Sequence, residues 1–215
     1  MTVPAPGQHW EYEHHPRRST VLPVESNRLL LDLFERKIDA KILIADTRPQ
    51  HRRLFSKLTP PSQPDFAGHY RGEDISYLKN CHAFIPANPM VGCPPRQVNG
   101  ELYKFNEIAQ DAVTRLDQLT AAPNALISEA EKFMRIIQST AALSAEFLKI
   151  HPFANGNGHV GRLLTIALLG RYGHWPPRFK IEPRPTGSAY NLAVAQHQNG
   201  NPLPLELFLM NSVKG

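Results

Sequence analysis

The twelve residues from 151 to 162, HPFANGNGHVGR, combine residue types that suit chemistry on a phosphate group. His151 is a candidate general base, because an imidazole can take up a proton near neutral pH. Gly156 and Gly158 permit backbone conformations in which successive N–H groups point at one anion. Arg162 lies one helical turn beyond the second glycine, so its guanidinium can reach the same anion. The spacing predicts a site that binds a phosphate-containing group beside a proton acceptor.

Two predicted helices enclose this loop. From Ser128 to His151, apolar residues recur at three- and four-residue steps without Gly or Pro, which predicts a long helix that ends before the next proline. Ser128 followed by Glu131 predicts a capping box at its start. A second helix is predicted to begin near Gly158 and to run through Leu168. Its first amides and the positive end of its dipole would face the loop.

The rest of the chain is predicted to be mainly helical. Apolar spacing indicates helices over residues 27–43, from about residue 105, and over residues 203–210. Residues 46–67 are rich in proline and predict a loop or short helices. Strand character over residues 75–84, followed by a proline-rich stretch, predicts one small β element. We therefore expect a mainly α fold.

This loop and three other segments resemble the Fic family. Fic proteins carry His-Pro-Phe-x-Asp/Glu-Gly-Asn-Gly-Arg-x-x-Arg between two core helices, and residues 151–162 are similar to it at nearly every position. Residues 141–150 (AALSAEFLKI) resemble the helix before that motif, and residues 67–71 (AGHYR) resemble the family's G-x-Y-R segment. Residues 190–209 resemble its closing tyrosine, polar turn and final helix. The resemblance covers residues 67–210.

The resemblance implies a Fic-fold helical bundle with a small β-hairpin flap. The flap would lie within residues 76–93 and would position a target segment by strand addition. The chain would then divide into three parts. These are a poorly ordered N-terminal extension (1–24), an N-terminal helix with its connecting loop (25–66), and a Fic core domain (67–215).

An activity is also implied by the resemblance. Fic proteins bind ATP with a divalent metal and transfer AMP to a Ser, Thr or Tyr hydroxyl of a target protein. His151 would be the general base, and an unperturbed imidazole, with a pKa near ~6.5, suits that role. Asn157 and the amides around Gly156 and Gly158 would hold the α-phosphate, and Arg162 would meet the outer phosphates. We therefore expect a protein adenylyltransferase with ATP as donor and Mg²⁺ or Mn²⁺ as cofactor.

Two positions of the motif differ in this chain. Asn155 stands where the family has Asp or Glu as metal ligand, and its amide oxygen can bind Mg²⁺ but brings no negative charge. His159 stands where the family's first arginine binds phosphate, and a neutral imidazole offers one donor without a permanent charge. Losing one charge-assisted contact costs about 1.5–3 kcal/mol. We therefore expect weaker metal binding and attenuated or altered chemistry.

Many Fic proteins are held inactive by a helix with the pattern Ser/Thr-x-x-x-Glu-Gly/Asn, whose glutamate pairs with the second arginine of the motif. Residues 21–27 (VLPVESN) match this pattern at Glu25 but not at Val21 or Ser26. One hypothesis is that Glu25 pairs with Arg162 and restrains the site. The alternative is an ordinary acidic residue in the first turn that stabilises its own helix.

Composition restricts the class of protein. Of 215 residues, 41% are hydrophobic and 20% are charged, which is typical of one soluble domain with a short extension. No apolar stretch reaches the ~18 residues of a membrane span, and the N-terminus lacks a signal-peptide pattern, so a cytoplasmic protein is predicted. Whether it is delivered into another cell is not readable from the sequence. Cys81 and Cys93 are too few for a disulfide framework and lack zinc-site spacing.

The chain has a net charge of +5 and a pI of about 9.3, with basic residues clustered at residues 17–18 and 48–57. A basic surface can attract nucleic acid or an acidic partner. No aromatic residues alternate with these basic residues, so a solvated face is the favoured interpretation and nucleic-acid binding is not expected.

Two alternatives to AMP transfer stay open. Within the same fold the transferred group could be UMP or phosphocholine, because the loop recognises phosphates and no residue identifies the base. The alternative from another class is a non-catalytic Fic-fold protein that binds a partner or a nucleotide without turnover, which Asn155 and His159 favour. The expected partners are a nucleotide and a protein target with a hydroxyl side chain. A homo-oligomer is compatible with the sequence, and a membrane partner is not expected.

Overall fold

The structure is a computed structural model that describes residues 10–83, 92–185 and 188–214. Within these ranges the protein is mainly helical, as predicted, and the described residues contain no β-strand. None of the described helices is both long and apolar enough to cross a lipid bilayer. The helices are α1 (Arg18–Phe34), α2 (Ala40–Ala45), α3 (Arg48–Phe55), α4 (Val98–Ala121), α5 (Glu129–Ile150), α6 (Asn157–Arg171), α7 (Ala189–Gln198) and α8 (Leu203–Lys214).

Helix α6 lies at the centre of the fold. Every residue from His159 to Leu169 is buried, because the helix is apolar around most of its circumference. Helix α5 packs along α6, and α4, α7 and α8 pack against α5. A Cβ at Gly161 would lie 2.9 Å from Leu148 Cδ2, so glycine allows α5 and α6 to approach closely. These two helices position the loop between them.

The helices on either side of the loop agree with the sequence prediction. The Ser128 side chain accepts a hydrogen bond from the Glu131 N–H at 3.2 Å, which caps the start of α5. Helix α5 ends at Ile150, directly before His151. Helix α6 begins at Asn157, one residue before the predicted start.

The N-terminal segment differs from the prediction of a poorly ordered extension. A 3₁₀ turn spans Tyr12–His14, and α1 begins at Arg18. Trp10, Tyr12 and Leu22 are buried in the core. Polar neighbours surround these few large apolar residues in the sequence, so no periodicity indicated their burial. Residues 1–9 lie outside the described residues.

The single helix predicted over residues 27–43 is two helices. Helix α1 ends at Phe34, and Arg36 then takes a left-handed conformation with φ of 58°. The Asp39 carboxylate accepts hydrogen bonds from the N–H groups of Lys41 and Ile42, which starts α2 as a new helix. The apolar pattern continued across the break because both helices bury residues in the same core.

The strand predicted over residues 75–84 is wrong for its described part. The N–H groups of Leu78 and Lys79 both donate to the carbonyl of Ile75, so the chain folds back in turns there. Residues 84–91 lie outside the described residues. The β-hairpin flap within residues 76–93 therefore remains a prediction.

Candidate active site

The loop between α5 and α6 leaves α5 in a fixed direction. His151 has a left-handed backbone with φ of 54°, which is uncommon for a residue other than glycine. Two hydrogen bonds from Arg71 hold this conformation. Its N–H donates to the Pro152 carbonyl at 2.8 Å, and its Nε donates to the His151 carbonyl at 2.8 Å.

The Arg71 guanidinium is a buried clamp, with only 1% of the residue exposed. Besides its bond to His151, it donates to the carbonyls of Ile150 at 3.2 Å, Cys93 at 3.1 Å and Cys81 at 3.2 Å. These carbonyls come from the end of α5 and from two residues of the segment that was predicted to form the flap. One side chain therefore joins the start of the loop to that segment. The sequence placed Arg71 in a family-like segment but indicated no role for it.

The ring of His151 is oriented as a proton acceptor. Its Nδ1 lies 3.2 Å from the carbonyl oxygen of Leu148. Because a carbonyl only accepts, Nδ1 carries the proton and Nε2 carries the lone pair. Burial lowers the pKa of His151 to about 4, and the charge of Arg71 acts in the same direction. The unperturbed pKa expected from the sequence is therefore wrong, and the ring is neutral at pH 7.

The Asn157 side chain closes the loop. Its Oδ1 accepts a hydrogen bond from the Phe153 N–H at 2.8 Å, and its Nδ2 donates to the Phe153 carbonyl at 2.8 Å. Asn157 is 1% exposed, so both polar atoms of its side chain are used within the loop. The N–H group of Asn157, at the start of α6, is therefore the part of this residue left for the predicted phosphate contact, which stays a prediction.

An amide cradle is present at that start, as the two glycines predicted. Gly156 has φ of 81°, and a Cβ there would lie 2.4 Å from Phe55 Cε2, so the position requires glycine. No described residue accepts a hydrogen bond from the N–H of Asn157 or Gly158. These two amides and the positive end of the helix dipole can bind an anion.

Arg162 lies beside the cradle. Its Nε and Nη2 donate to the Ile181 carbonyl at 3.0 and 2.9 Å, which fixes the direction of the side chain. Its Nη1 is 3.3 Å from the position that a Cβ on Gly158 would take. The structure therefore brings Arg162 to the cradle as the sequence predicted, with one guanidinium nitrogen turned toward it.

His159 is enclosed and neutral. Its Nε2 lies 2.7 Å from Glu182 Oε2, and its Nδ1 lies 3.3 Å from the Tyr12 hydroxyl. Because a carboxylate accepts, Nε2 carries the proton and Nδ1 accepts from Tyr12. Burial lowers the pKa of His159 to about 4, and the Arg162 charge contributes. The Glu182 carboxylate also accepts a hydrogen bond from Arg18 at 3.0 Å.

Asn155, the predicted metal ligand, is bonded within the chain. Its Oδ1 accepts from the Gly156 N–H at 2.7 Å, and its Nδ2 donates to the Trp10 carbonyl and to Glu13 Oε2, both at 3.0 Å. No group of three or more His, Cys, Asp or Glu side chains suited to a metal ion occurs in the described ranges. The Asn155 side chain is therefore engaged within the chain, and metal binding by it stays a prediction.

Residues 10–14, here named the N-terminal cover, lie over the cradle side of the loop. The Trp10 indole donates to the Leu58 carbonyl at 3.0 Å and stacks on Phe66 with ring centroids 5.6 Å apart. The Tyr12 ring lies 4.8 Å from that of Phe55. Together with the bonds to Asn155 and His159, these contacts place the N-terminal cover against two of the predicted site residues.

A family model for the Fic/DOC family matches residues 42–169, which is more than half of the chain. This chain belongs to the Fic/DOC family. No curated protein matches the chain. The matched region includes the whole loop, Arg71 and the helices α3 to α5. Glu182 and the N-terminal cover lie outside it, so these two features are additions to the matched Fic region.

The inhibitory pairing predicted for this Fic protein is not formed. Glu25, which is 5% exposed, accepts hydrogen bonds from Lys57 at 2.8 Å and Arg28 at 3.2 Å. Its other oxygen lies 3.8 Å from Arg53 Nε. Arg162 is bonded to Ile181 instead, as described above. The hypothesis of a Glu25–Arg162 pair is therefore wrong, because three cations of the chain surround the Glu25 carboxylate.

Sequence reasoning missed three features of the site. His51 on α3 was counted as part of a basic patch, although it is buried against the loop. Arg71 and the N-terminal cover had no predicted role. Each reaches the loop from a part of the chain at least 79 residues away, so no local pattern could indicate it. The residue types around His51 (HRR) and Arg71 (YR) were visible in the sequence, but the burial of His51 and Arg71 was not.

Proposed function

We propose that this Fic protein is a protein adenylyltransferase that transfers AMP from ATP to a Ser, Thr or Tyr hydroxyl of a target protein. The observation that carries the proposal is the pair of unpartnered amides at Asn157 and Gly158, which lies between His151 and Arg162. A cradle of this kind suits the α-phosphate of a nucleotide, and Arg162 suits the next phosphate.

In the proposed reaction, the oxygen of the target hydroxyl attacks the α-phosphorus of ATP. The hydroxyl proton passes to Nε2 of His151, whose lone pair is available because Nδ1 is the protonated nitrogen. The new P–O bond forms as the bond from the α-phosphorus to the leaving oxygen breaks, and pyrophosphate departs. The amides at the start of α6 stabilise the charge that develops on the α-phosphate.

Magnesium or manganese enters this proposal only as part of the donor, bound to the phosphates of ATP. Asn155 is the motif residue that was predicted to bind the metal, and its amide is already bonded within the chain. No step of the proposed reaction depends on a metal ligand from the chain.

We further propose that the described arrangement is a closed form. The N-terminal cover lies on Asn155 and His159, so a nucleotide must displace it before phosphates reach the whole cradle. Burial also lowers the pKa of His151 to about 4, which makes it a weaker base than an exposed imidazole. Displacing the cover would expose the site to water. The pKa values of His151 and His159 would then rise toward their ordinary value. This role replaces the one predicted for Glu25.

A second candidate function is a non-catalytic Fic-fold protein that binds without turnover. The observation that favours it is the internal pairing of His159 with Glu182 and of Asn155 with Glu13. Side chains at both of the unusual motif positions are used to hold this chain together. A donor other than ATP is the related possibility, and the mass of the transferred group distinguishes it.

The test is incubation of the full chain with ATP and Mg²⁺ or Mn²⁺, followed by intact-mass analysis. A mass gain equal to AMP is expected in the natural protein, and His151→Ala should lower its rate by about 10²–10⁴-fold. His197→Ala, on α7, is the matched control and should keep the rate. The non-catalytic function would instead be established if the natural protein bound ATP without any mass gain. The mass gain would then appear only in the double variant Asn155→Asp and His159→Arg.

A further inference from the structure

His51 lies on α3, outside the loop, yet both of its ring nitrogens bond to backbone at the candidate site. The residue is 0% exposed. The N–H of Gly68 donates to Nδ1 at 3.0 Å, and Nε2 lies 2.9 Å from the carbonyl oxygen of Asn155. Because an N–H only donates and a carbonyl only accepts, only the tautomer with its proton on Nε2 satisfies both contacts.

The ring is also held by packing. It stacks on Phe153 with centroids 3.8 Å apart and planes 6° from parallel. A Cβ on Gly156 would lie 3.0 Å from His51 Nε2, so the turn closes directly onto the ring. Burial lowers the pKa of His51 to about 3, so the ring stays neutral and keeps one tautomer across the physiological range.

The bond from His51 fixes the orientation of the peptide that directly precedes the cradle. In a trans peptide the carbonyl and the following N–H point in opposite directions. Since the Asn155 carbonyl points at His51, the Gly156 N–H points away from it, where it meets Asn155 Oδ1 at 2.7 Å. Helix α6 begins at the next residue. A rotation of this peptide would change the φ angle of Gly156, on which the direction of the first α6 amides depends.

We infer that His51 is a positioning residue: through its Nε2–H bond it holds the Asn155–Gly156 peptide in the orientation that aims the cradle amides at a phosphate. It acts through the backbone and does not contact the donor. Its effect on nucleotide binding rests on the proposed function, whereas its control of the loop conformation does not.

Two isosteric substitutions separate the hydrogen bond from packing. The amide of Gln lies the same number of bonds from Cβ as Nε2 of histidine, so His51→Gln can still donate to the Asn155 carbonyl. The amide of Asn corresponds to Nδ1, so His51→Asn can bond only to Gly68. Both variants lose the aromatic stack on Phe153, and their thermal unfolding midpoints should be lowered to a similar extent.

The measurement is amide hydrogen exchange of the full chain, read by mass spectrometry on peptides covering residues 153–160. His51→Asn should speed exchange in this segment about tenfold or more, as expected for one lost buried hydrogen bond, while His51→Gln keeps it within about threefold. ATP binding, measured by calorimetry, should weaken in the same order. Equal changes in both variants, or no change in either, would overturn the inference, because packing alone would then explain the residue.

The outcome does not depend on whether the proposed function is right. If the natural protein binds no ATP, the proposed function fails, and hydrogen exchange still decides the role of His51. If His51→Asn does not fold, imidazole ¹⁵N shifts of the natural protein decide it. A His51 signal with protonated Nε2 and unprotonated Nδ1 at pH 7 is expected, and the reverse tautomer would overturn the inference.

Discussion

Lowering the pH from 7 to 5 is expected to remove about 6 kcal/mol of folding free energy, because His51, His151 and His159 are buried as neutral rings. Burial lowers the pKa of His51 to about 3 and those of His151 and His159 to about 4, from an ordinary value of 6.5. In the unfolded chain all three rings are exposed and take up protons near the ordinary pKa. As the pH falls below 6.5, the unfolded state binds protons that the folded state does not, and the equilibrium shifts toward unfolding.

The magnitude follows from the difference in histidine protonation between the folded and the unfolded state. For an unfolded histidine with a pKa of 6.5, the free energy of protonation grows from about 0.2 kcal/mol at pH 7 to about 2.1 kcal/mol at pH 5. Each buried ring therefore contributes about 1.9 kcal/mol over this interval, and the three together contribute about 6 kcal/mol. Below pH 4 the folded rings also take up protons, and their contribution levels off.

Glu182 acts in a more acidic range. The hydrogen bond from His159 is the largest cause that lowers the pKa of Glu182 below its ordinary value of 4.5, and the nearby arginines contribute. A carboxylate with a lowered pKa stabilises the fold above that ordinary value and loses this effect as the pH falls through its folded pKa. Between pH 7 and pH 5 the three buried histidines therefore dominate the loss of stability.

Urea unfolding curves at pH 7, 6 and 5, followed by far-ultraviolet circular dichroism, measure this loss. His51→Gln keeps the hydrogen bond to Asn155 but cannot titrate, so its loss between pH 7 and pH 5 should be about 4 kcal/mol, about 2 kcal/mol less than that of the natural protein. His14→Gln, at an exposed position, is the control and should show the full loss. A natural protein whose stability changes by less than about 1 kcal/mol over this interval would refute the reasoning, because buried neutral rings cannot be insensitive to acid.

Three further predictions concern the loop and its supports. If His151 is the base in the closed form, the pH profile of AMP transfer should stay flat down to about pH 5 and fall with an apparent pKa nearer 4 than 6.5; a fall centred at 6.5 would mean that the ring works in an opened site. Removing residues 1–15 should tighten ATP binding by about tenfold to a hundredfold in a calorimetric titration, because the nucleotide no longer competes with the N-terminal cover; unchanged affinity would show that the cover does not lie in the nucleotide's place. Arg71→Lys should cost about 2–4 kcal/mol of stability in urea unfolding, because several of the four carbonyls that Arg71 bonds lose their donor. Arg115→Lys, on the exposed face of α4, should cost less than about 0.5 kcal/mol, and equal effects of the two variants would contradict the role of Arg71 as a clamp.

The sequence predicted well those parts of the fold that depend on neighbouring residues. Helix α5 was visible because its apolar residues repeat at helical spacing and Ser128 caps it. The start of α6 was visible because a proline ends the preceding helix and glycines follow before the next apolar pattern. The prediction was poorer where an apolar pattern continued through a break, as at Asp39, and where few apolar residues carried the burial, as at Trp10.

The sequence by itself determined the residue types of the loop and their order along the chain, namely a histidine, two glycines and an arginine between two helices. That much follows from local geometry, since helix ends and glycine turns are set by residues a few positions apart. The match to the Fic/DOC family, over residues 42–169, includes the same residues.

Only the tertiary structure decided which atoms of the loop remain available and in which charge state. His51, Arg71 and the N-terminal cover reach the loop from distant parts of the chain and bond to its backbone and side chains. Burial among them makes His151 and His159 neutral and commits the side chain of Asn157 to Phe153. Hydrogen-bond partners and pKa values depend on what surrounds a group in space, and a linear sequence does not contain that information.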